Sequence, residues 1–127
     1  MNPALKTLND LEKYDLSTLE FDSHLLRKIH KLWSIPIHNF TASDLRILIG
    51  QNIALKYLIP FALNILDKDP FVEADFYEGD LLESVSKCEL HFWIENPQLK
   101  LHLKNIIDQN ITEINARKLD RQSRIVM

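Results

Sequence analysis

The spacing of apolar residues, in a chain with very few residues that interrupt helices, constrains the fold most. Only two glycines and five prolines occur among 127 residues. Most apolar side chains recur three or four positions apart, as they do along one face of a helix. No stretch shows the clear apolar and polar alternation of a half-buried strand. The pattern predicts an all-α fold, a single-domain bundle of about five to seven helices.

Length and composition agree with one folded domain. A chain of 127 residues buries roughly two-thirds of its unfolded surface on folding. We therefore assign residues 1–127 to one domain. Its polar end, after about residue 119, is expected to fray. No apolar run approaches the ~20 residues of a membrane span. The first residues carry acids where a signal peptide has its apolar centre. We therefore expect a cytoplasmic protein that does not enter a membrane.

Capping signals mark a helix that begins after Thr41. Thr41 and Asp44 have the spacing of a capping box, in which each side chain accepts a hydrogen bond from a backbone N–H of the first turn. Gly50 is predicted to end this helix in the left-handed conformation. The polar corner of Gly50, Gln51 and Asn52 is expected to satisfy backbone groups where two helices meet.

Proline positions shape the later helices. A helix is predicted over residues 53–67, with Pro60 removing one backbone hydrogen bond and kinking it. A further helix is predicted to open at Gly79-Asp80, with Asp80 as its cap and Glu83 in the reach-back position. Pro97 suits the first position of a long helix whose inward side extends as far as Ile114 and whose end lies in the polar residues 117–127.

Negative charge is concentrated in the middle of the chain. Residues 67–95 carry nine acids and two lysines, a net charge of −7, whereas the segments before and after have net charges of +1 and +3. Such a segment attracts basic partners over long range and repels nucleic acid. Phe71, Phe76 and Tyr77 lie among these acids. Aromatic residues beside charges are typical of interface anchors, although Phe71 and Phe76 could equally be buried.

Motifs for catalysis or metal binding are absent or weak. The five histidines lack the spacing of a helical zinc site, and no phosphate-binding glycine loop or GxSxG elbow occurs. Cys88 has no partner thiol, and we interpret it as an unreactive thiol on or near a packed helix face. Asp75, Glu78 and Asp80 could bind a cation but lack the ligand order of an EF-hand. We predict no catalytic residue, no metal and no cofactor.

Two motifs in this order and spacing resemble the immunity proteins of bacterial contact-dependent growth inhibition (CDI) systems. The first is FTASDLRILIGQNIALKYLIPFAL at residues 40–63, and the second is DFYEGDLLES at residues 75–84. The resemblance covers roughly residues 18–97, and the longer basic tail after Ile114 departs from the family pattern. The residues that carry it are Phe40, Thr41, Asp44, Leu45, Arg46, Ile49, Gly50, Gln51, Tyr57, Leu58, Pro60, Ala62, Leu63, Asp75, Phe76, Tyr77, Gly79, Asp80, Leu81, Leu82, Phe92, Trp93, Asn96 and Pro97.

The resemblance implies a cytoplasmic protein that binds and neutralises the C-terminal toxin domain of a large surface protein encoded with it. Many such toxins are nucleases, including enzymes that cut transfer RNA. Nuclease grooves are basic because they hold phosphates, so an acidic inhibitor can cover the active site or substrate groove as a nucleic-acid mimic. We expect a monomer in a 1:1 complex with a basic toxin domain, without enzymatic activity and without direct contact to nucleic acid.

Residues that immunity proteins against different toxins share are expected to build the fold, whereas specificity is expected at exposed positions around them. Arg46 is expected to be held by a carboxylate of a neighbouring helix. The predicted structural residues are Thr41, Asp44, Arg46, Gly50, Gln51 and Pro60. The predicted toxin-binding residues are Asp69, Glu73, Asp75, Tyr77, Glu78, Asp80 and Glu83.

Two other functional classes remain open. A helical nucleic-acid-binding or regulatory protein would use the basic C-terminal helix, with Arg117, Lys118, Arg121 and Arg124. The sequence pI of about 5.9 argues against nucleic-acid binding. A small helical enzyme would need an acid, base or nucleophile set, and none can be named from the sequence.

Overall fold

Helices make up the regular structure of the computed structural model, which describes residues 5–11 and 23–116. Within these ranges, seven helices of six residues or more follow a one-turn helix. The helices are α1 Leu8–Leu11, α2 Ser23–Trp33, α3 Ala42–Gly50, α4 Leu55–Lys68, α5 Asp80–Ser86, α6 Leu90–Glu95, α7 Pro97–Gln109 and α8 Ile111–Ala116. A 3-10 turn at Ile37–Asn39 precedes α3. The predicted all-α, single-domain bundle is confirmed.

Two predictions concern residues outside the described ranges. The fraying expected after about residue 119 falls there, as do the basic residues of the alternative nucleic-acid surface, Arg117, Lys118, Arg121 and Arg124. Among the described helices, none combines the length and the apolar character needed to cross a membrane.

Helix α4 lies in the middle of the bundle. It contacts α3, α5 and α7, while α3 makes its most extensive contact with α5. The buried side chains of α4 include Leu58, Ile59, Leu63 and Leu66. Burying one such side chain favours folding by roughly 1.5–3 kcal/mol, and tertiary packing supplies most of the stability of a helix this short. The packing of α4 therefore fixes where α5 and the chain between them lie.

Helix α3 begins with the capping box that the sequence predicts. The Asp44 N–H donates to Thr41 Oγ1 at 3.1 Å, and the Thr41 N–H donates to Asp44 Oδ2 at 3.0 Å. The same reciprocal pair joins Thr7 and Asp10 at the start of α1. Both boxes satisfy backbone donors that a helix leaves unpaired in its first turn.

The turn after α3 is a Schellman motif centred on Asn52. The Asn52 N–H donates to Ile49 O at 2.9 Å, and the Ile53 N–H donates to Leu48 O at 3.0 Å. Asn52 has a φ of 56°, the left-handed conformation of the residue that follows the C-cap in this motif. Ile53 and Leu48 are both buried, which is the apolar contact that accompanies the motif.

The prediction that Gly50 has the left-handed conformation is wrong. Gly50 is the last residue of α3, and Gln51 is the C-cap; neither has positive φ. The helix runs on through Gly50, and the left-handed position falls on Asn52, a residue type that tolerates it. Asn52 Oδ1 also accepts a hydrogen bond from the Glu89 N–H at 3.1 Å, which ties this corner to the start of α6.

The predicted long helix from Pro97 past Ile114 is also wrong, because it is broken at Asn110. The Asn110 N–H donates to Ile107 O at 3.1 Å, and its Nδ2 donates to Ile106 O at 2.7 Å. Asparagine competes for backbone groups in this way and so favours helix ends. Ile106, Ile107 and Ile114 are nevertheless all buried, so the apolar stripe continues across the break. Pro60, by contrast, lies inside α4, which continues on both sides of it.

Two substitutions test the corner after α3. Gly50→Ala should raise the free energy of unfolding by about 0.5–1 kcal/mol, because alanine favours the helix over glycine and an added Cβ meets nothing within 4 Å. Asn52→Val should lower it by about 1–2 kcal/mol, because a β-branched residue disfavours the left-handed conformation and loses the hydrogen bond from Glu89. Urea unfolding of both variants measures the difference. The opposite order of stabilities would contradict the Schellman motif at Asn52.

Candidate functional site

The candidate site is built on the chain between α4 and α5, residues 69–79, which we call the α4–α5 loop. The loop folds back on itself: the Gly79 N–H donates to Val72 O at 3.3 Å, and an isolated antiparallel bridge joins Glu73 to Glu78. Gly79 has a φ of 97°, where a side chain is rarely tolerated. The reversal therefore depends on glycine at this position.

The predicted cap role of Asp80 is wrong, because the N-cap of α5 is Gly79 and Asp80 is the first helical residue. The Asp80 carboxylate instead holds the tip of the loop. Asp80 is only 3% exposed. Its Oδ1 accepts a hydrogen bond from the Ala74 N–H at 2.6 Å, and its Oδ2 accepts from the N–H groups of Asp75 and Phe76, both at 2.8 Å. Three successive backbone donors thus converge on one buried carboxylate. An ionised carboxylate forms stronger hydrogen bonds with N–H donors than a neutral acceptor does.

The pKa of Asp80 reflects this arrangement. Burial alone would raise the pKa, but the hydrogen bonds from the backbone of Phe76, Asp75 and Ala74, together with the charge of Arg46, outweigh burial and lower it. Asp80 is therefore ionised at neutral pH, and its negative charge strengthens the hydrogen bonds that it accepts from the loop backbone.

Arg46 connects helix α3 to the same loop. Its Nε donates to Asp75 Oδ2, and the Ser43 hydroxyl donates to Asp75 Oδ1 at 2.6 Å. Burial would raise the pKa of Asp75, but these hydrogen bonds and the Arg46 charge lower it. The Arg46 guanidinium carbon also lies 4.8 Å from the centre of the Phe76 ring, within cation–π range. The carboxylate that holds Arg46 thus comes from the loop, not from a neighbouring helix.

Two of the three aromatic side chains of the loop, Phe76 and Tyr77, face solvent. Phe76 is 73% exposed and Tyr77 is 41% exposed. The Tyr77 hydroxyl donates to Glu83 of α5, and Glu83 Oε1 accepts a hydrogen bond from Lys87 Nζ at 2.7 Å. Of the two interpretations open for Phe76 in the sequence, buried or exposed, the structure supports the exposed one. Phe71 is half-buried against the core.

The predicted toxin-binding residues differ in exposure and in their contacts. Asp69, Glu73, Asp75 and Glu78 are all exposed on the α4–α5 loop beside Tyr77, and Asp69 Oδ1 accepts a hydrogen bond from the Phe71 N–H at 3.2 Å. Asp75 pairs with Arg46, Glu83 accepts from the Tyr77 hydroxyl, and Asp80 is buried and binds the loop backbone. All seven predicted residues lie in one region of the structure, but Asp80 is buried there and contributes by holding the loop backbone.

Phe76 was not among the predicted binding residues. Its position in the motif DFYEGD indicates a possible binding role. The motif alone does not distinguish an exposed ring from a buried one. The sequence predicts a structural role for Arg46. Its contact with the Phe76 ring could not be predicted, because the two residues lie 30 positions apart in the chain.

The described residues include other groups that could be reactive. Within residues 5–11 and 23–116, no three or more His, Cys, Asp or Glu side chains are grouped to hold a metal ion. Cys88 is buried, and burial raises the pKa of its thiol to about 12, so it stays protonated at neutral pH. On α7, His102 Nε2 lies 2.8 Å from Asp67 Oδ2, a pair that links α7 to the end of α4.

The family of CDI immunity proteins matches residues 10–103, which are 94 of the 127 residues. The chain belongs to this family, and its function is therefore to neutralise a toxin by binding it. No curated protein and no solved structure matches the chain.

Asp80→Asn tests the role of the buried carboxylate. At neutral pH it should lower the free energy of unfolding by about 1–3 kcal/mol, because an amide places N–H groups against backbone donors that need acceptors. Since the folded-state pKa of Asp80 lies below its ordinary value of 3.8, its contribution is present above that value and is lost as pH falls through the folded-state pKa. Urea unfolding across this range should show the difference from wild type shrinking in acid.

Glu73→Gln is the matched control, because Glu73 is exposed on the same loop. It should change stability little at either pH, since surface substitutions have small effects. A stability difference between Asp80→Asn and wild type that stays constant down to about pH 2 would contradict the role of the ionised carboxylate.

Proposed function

We propose that this chain binds the toxin domain of its own CDI system through the α4–α5 loop and neutralises it by covering its active site or substrate groove. The observation that carries this proposal is the exposure of Phe76 and Tyr77 among acids on a loop whose backbone is held by Asp80. In this proposal the bound chain inhibits the toxin by occupying its active site or substrate groove. The chain itself catalyses no reaction.

The charge of the loop favours a basic partner. Asp69, Glu73 and Glu78 are exposed on it, so their charges act on molecules outside the protein. A nuclease, including one that cuts transfer RNA, must hold phosphates and therefore has a basic groove. Complementary charge speeds association and selects the partner. We accordingly propose a nuclease as the toxin and the acidic loop as the substitute for its nucleic-acid substrate.

The fixed backbone of the loop favours tight binding. Ordering a flexible loop on association costs free energy. Here the turn is closed by the Gly79 hydrogen bond to Val72 and by three hydrogen bonds to Asp80 before any partner binds.

A single binding loop on each chain fits a 1:1 complex. We propose that this complex forms in the cytoplasm, where an imported nuclease meets its RNA substrate.

Protection of cells is the direct test of the proposed function. Expression of the toxin domain encoded beside this chain should stop growth, and co-expression of the chain should restore it. The purified proteins should form a 1:1 complex by light scattering, in which the toxin no longer cleaves its substrate. Continued growth arrest with both proteins soluble would contradict the proposal.

A triple substitution tests charge steering at the loop. Asp69→Asn, Glu73→Gln and Glu78→Gln together should slow association by about tenfold at low salt, because long-range attraction to a basic partner is lost. The effect should shrink as salt increases, since exposed charges are screened beyond about 8 Å at physiological ionic strength. Stopped-flow association rates at several salt concentrations measure this. Asp75 and Asp80 are left unchanged because their replacement would also disturb the loop.

The matched control removes the same charge from other helices. Glu95→Gln, Asp108→Asn and Glu113→Gln together change acids of α6, α7 and α8. This variant should associate at nearly the wild-type rate. If it slows association more than the loop variant does, the toxin-facing surface lies on those helices.

A further inference from the structure

We propose that Phe76 is the apolar anchor of the toxin complex and that Arg46 is the residue that positions its ring. This inference rests on the proposed function and adds the chemistry of the partner site. The toxin surface should offer an apolar pocket that receives the phenyl ring, with Lys or Arg side chains around the rim.

Phe76 combines exposure with a fixed location. Its side chain is 73% exposed, whereas its backbone N–H donates to Asp80 Oδ2 at 2.8 Å. The Cα of this residue is therefore tied to a buried carboxylate at the start of α5. A large apolar side chain presented to solvent from so constrained a backbone loses little conformational freedom when it enters a pocket.

Arg46 restricts the ring itself. The guanidinium carbon lies 4.8 Å from the ring centre, and the same guanidinium donates to Asp75, which also accepts from Ser43 at 2.6 Å. Contacts from α3 thus run through Arg46 to one exposed ring. The planar guanidinium can stack on an aromatic ring and pair with a carboxylate at the same time, which a lysine ammonium cannot reproduce.

The charges around the ring define the partner. The Arg46 charge is paired with Asp75, so it does not oppose a cationic rim. Asp69, Glu73 and Glu78 remain exposed on the same loop. A pocket with an acidic rim would be repelled by these acids, whereas a basic rim would be attracted. Aromatic anchors that fill a pocket inside a polar rim contribute most of the binding free energy in many interfaces.

The experiment measures binding of the purified neighbouring toxin domain to wild type and variants by surface plasmon resonance. Phe76→Ala should raise Kd by about 30-fold or more, mainly through faster dissociation. Its melting temperature should match wild type because the ring is mostly exposed. Ile94→Ala is the matched control: Ile94 is 65% exposed on α6, and its truncation should change Kd by less than about threefold.

Arg46→Lys tests positioning, because it keeps the positive charge and loses the planar guanidinium that lies over the ring. It should weaken binding of the wild-type ring, and it should have little further effect in the Phe76→Ala background, since the two residues act through one contact. Equal effects in both backgrounds would overturn the positioning role.

The outcomes separate this inference from the proposed function. If wild type binds and protects cells but Phe76→Ala binds as tightly as wild type, the anchor is overturned and the proposed function stands. If Ile94→Ala weakens binding and Phe76→Ala does not, the interface lies on α6 and the anchor is again overturned. If wild type does not bind the toxin domain, both proposals fail.

Discussion

The Asp80 carboxylate and the three backbone N–H groups of Ala74, Asp75 and Phe76 form the interaction on which the candidate site depends. A buried ionised group is costly unless it is fully hydrogen-bonded, and here both oxygens are engaged. Because Asp80 begins α5 and α5 packs against α3, the loop tip is fixed relative to the helix that carries Arg46. The position of Phe76 follows from this one arrangement.

The acids of the segment differ in their surroundings, and a count of charges alone does not separate them. Asp75 and Glu83 lie in internal contacts with Arg46 and with the Tyr77 hydroxyl. Asp69, Glu73 and Glu78 face solvent. The cations of Arg46 and Lys87, which pair with Asp75 and Glu83, offset part of the negative charge of these two acids at long range. The Asp75 and Asp80 carboxylates help to fix the shape of the loop that carries the exposed acids.

Membership of the CDI immunity family is consistent with separate sets of residues that build the fold and that are proposed to contact the toxin. Such a protein must remain folded while it presents a surface that recognises one toxin. The capping box of Thr41 and Asp44 begins α3, and α3 in turn supplies Arg46 and Ser43 to the loop. Residues that build the fold and residues proposed to contact the toxin are therefore linked through Asp75. A change in α3 should reach the loop without any contact between α3 and the toxin.

The sequence by itself determined those features that depend on neighbours three or four positions apart. Helical spacing predicted the all-α bundle, and the Thr41–Asp44 pair predicted the start of α3. A helix was also expected to open at Gly79-Asp80, and α5 begins there, although its N-cap is Gly79 and not Asp80. These features are local because helix hydrogen bonds and caps join residues within one turn. The family could also be identified from the order of the motifs, since that order is a property of the chain.

Only the tertiary structure decided which residues are exposed and where the helices end. The left-handed position fell on Asn52, whose side chain is bound by the distant Glu89 N–H, and the last long helix broke at Asn110. Phe76 faces solvent beside Arg46, and Asp75 meets that arginine across 29 positions of the chain. Burial and ion pairing of this kind depend on which helices pack together. Periodicity along the chain therefore predicts helices but leaves the exposure of a single aromatic ring open.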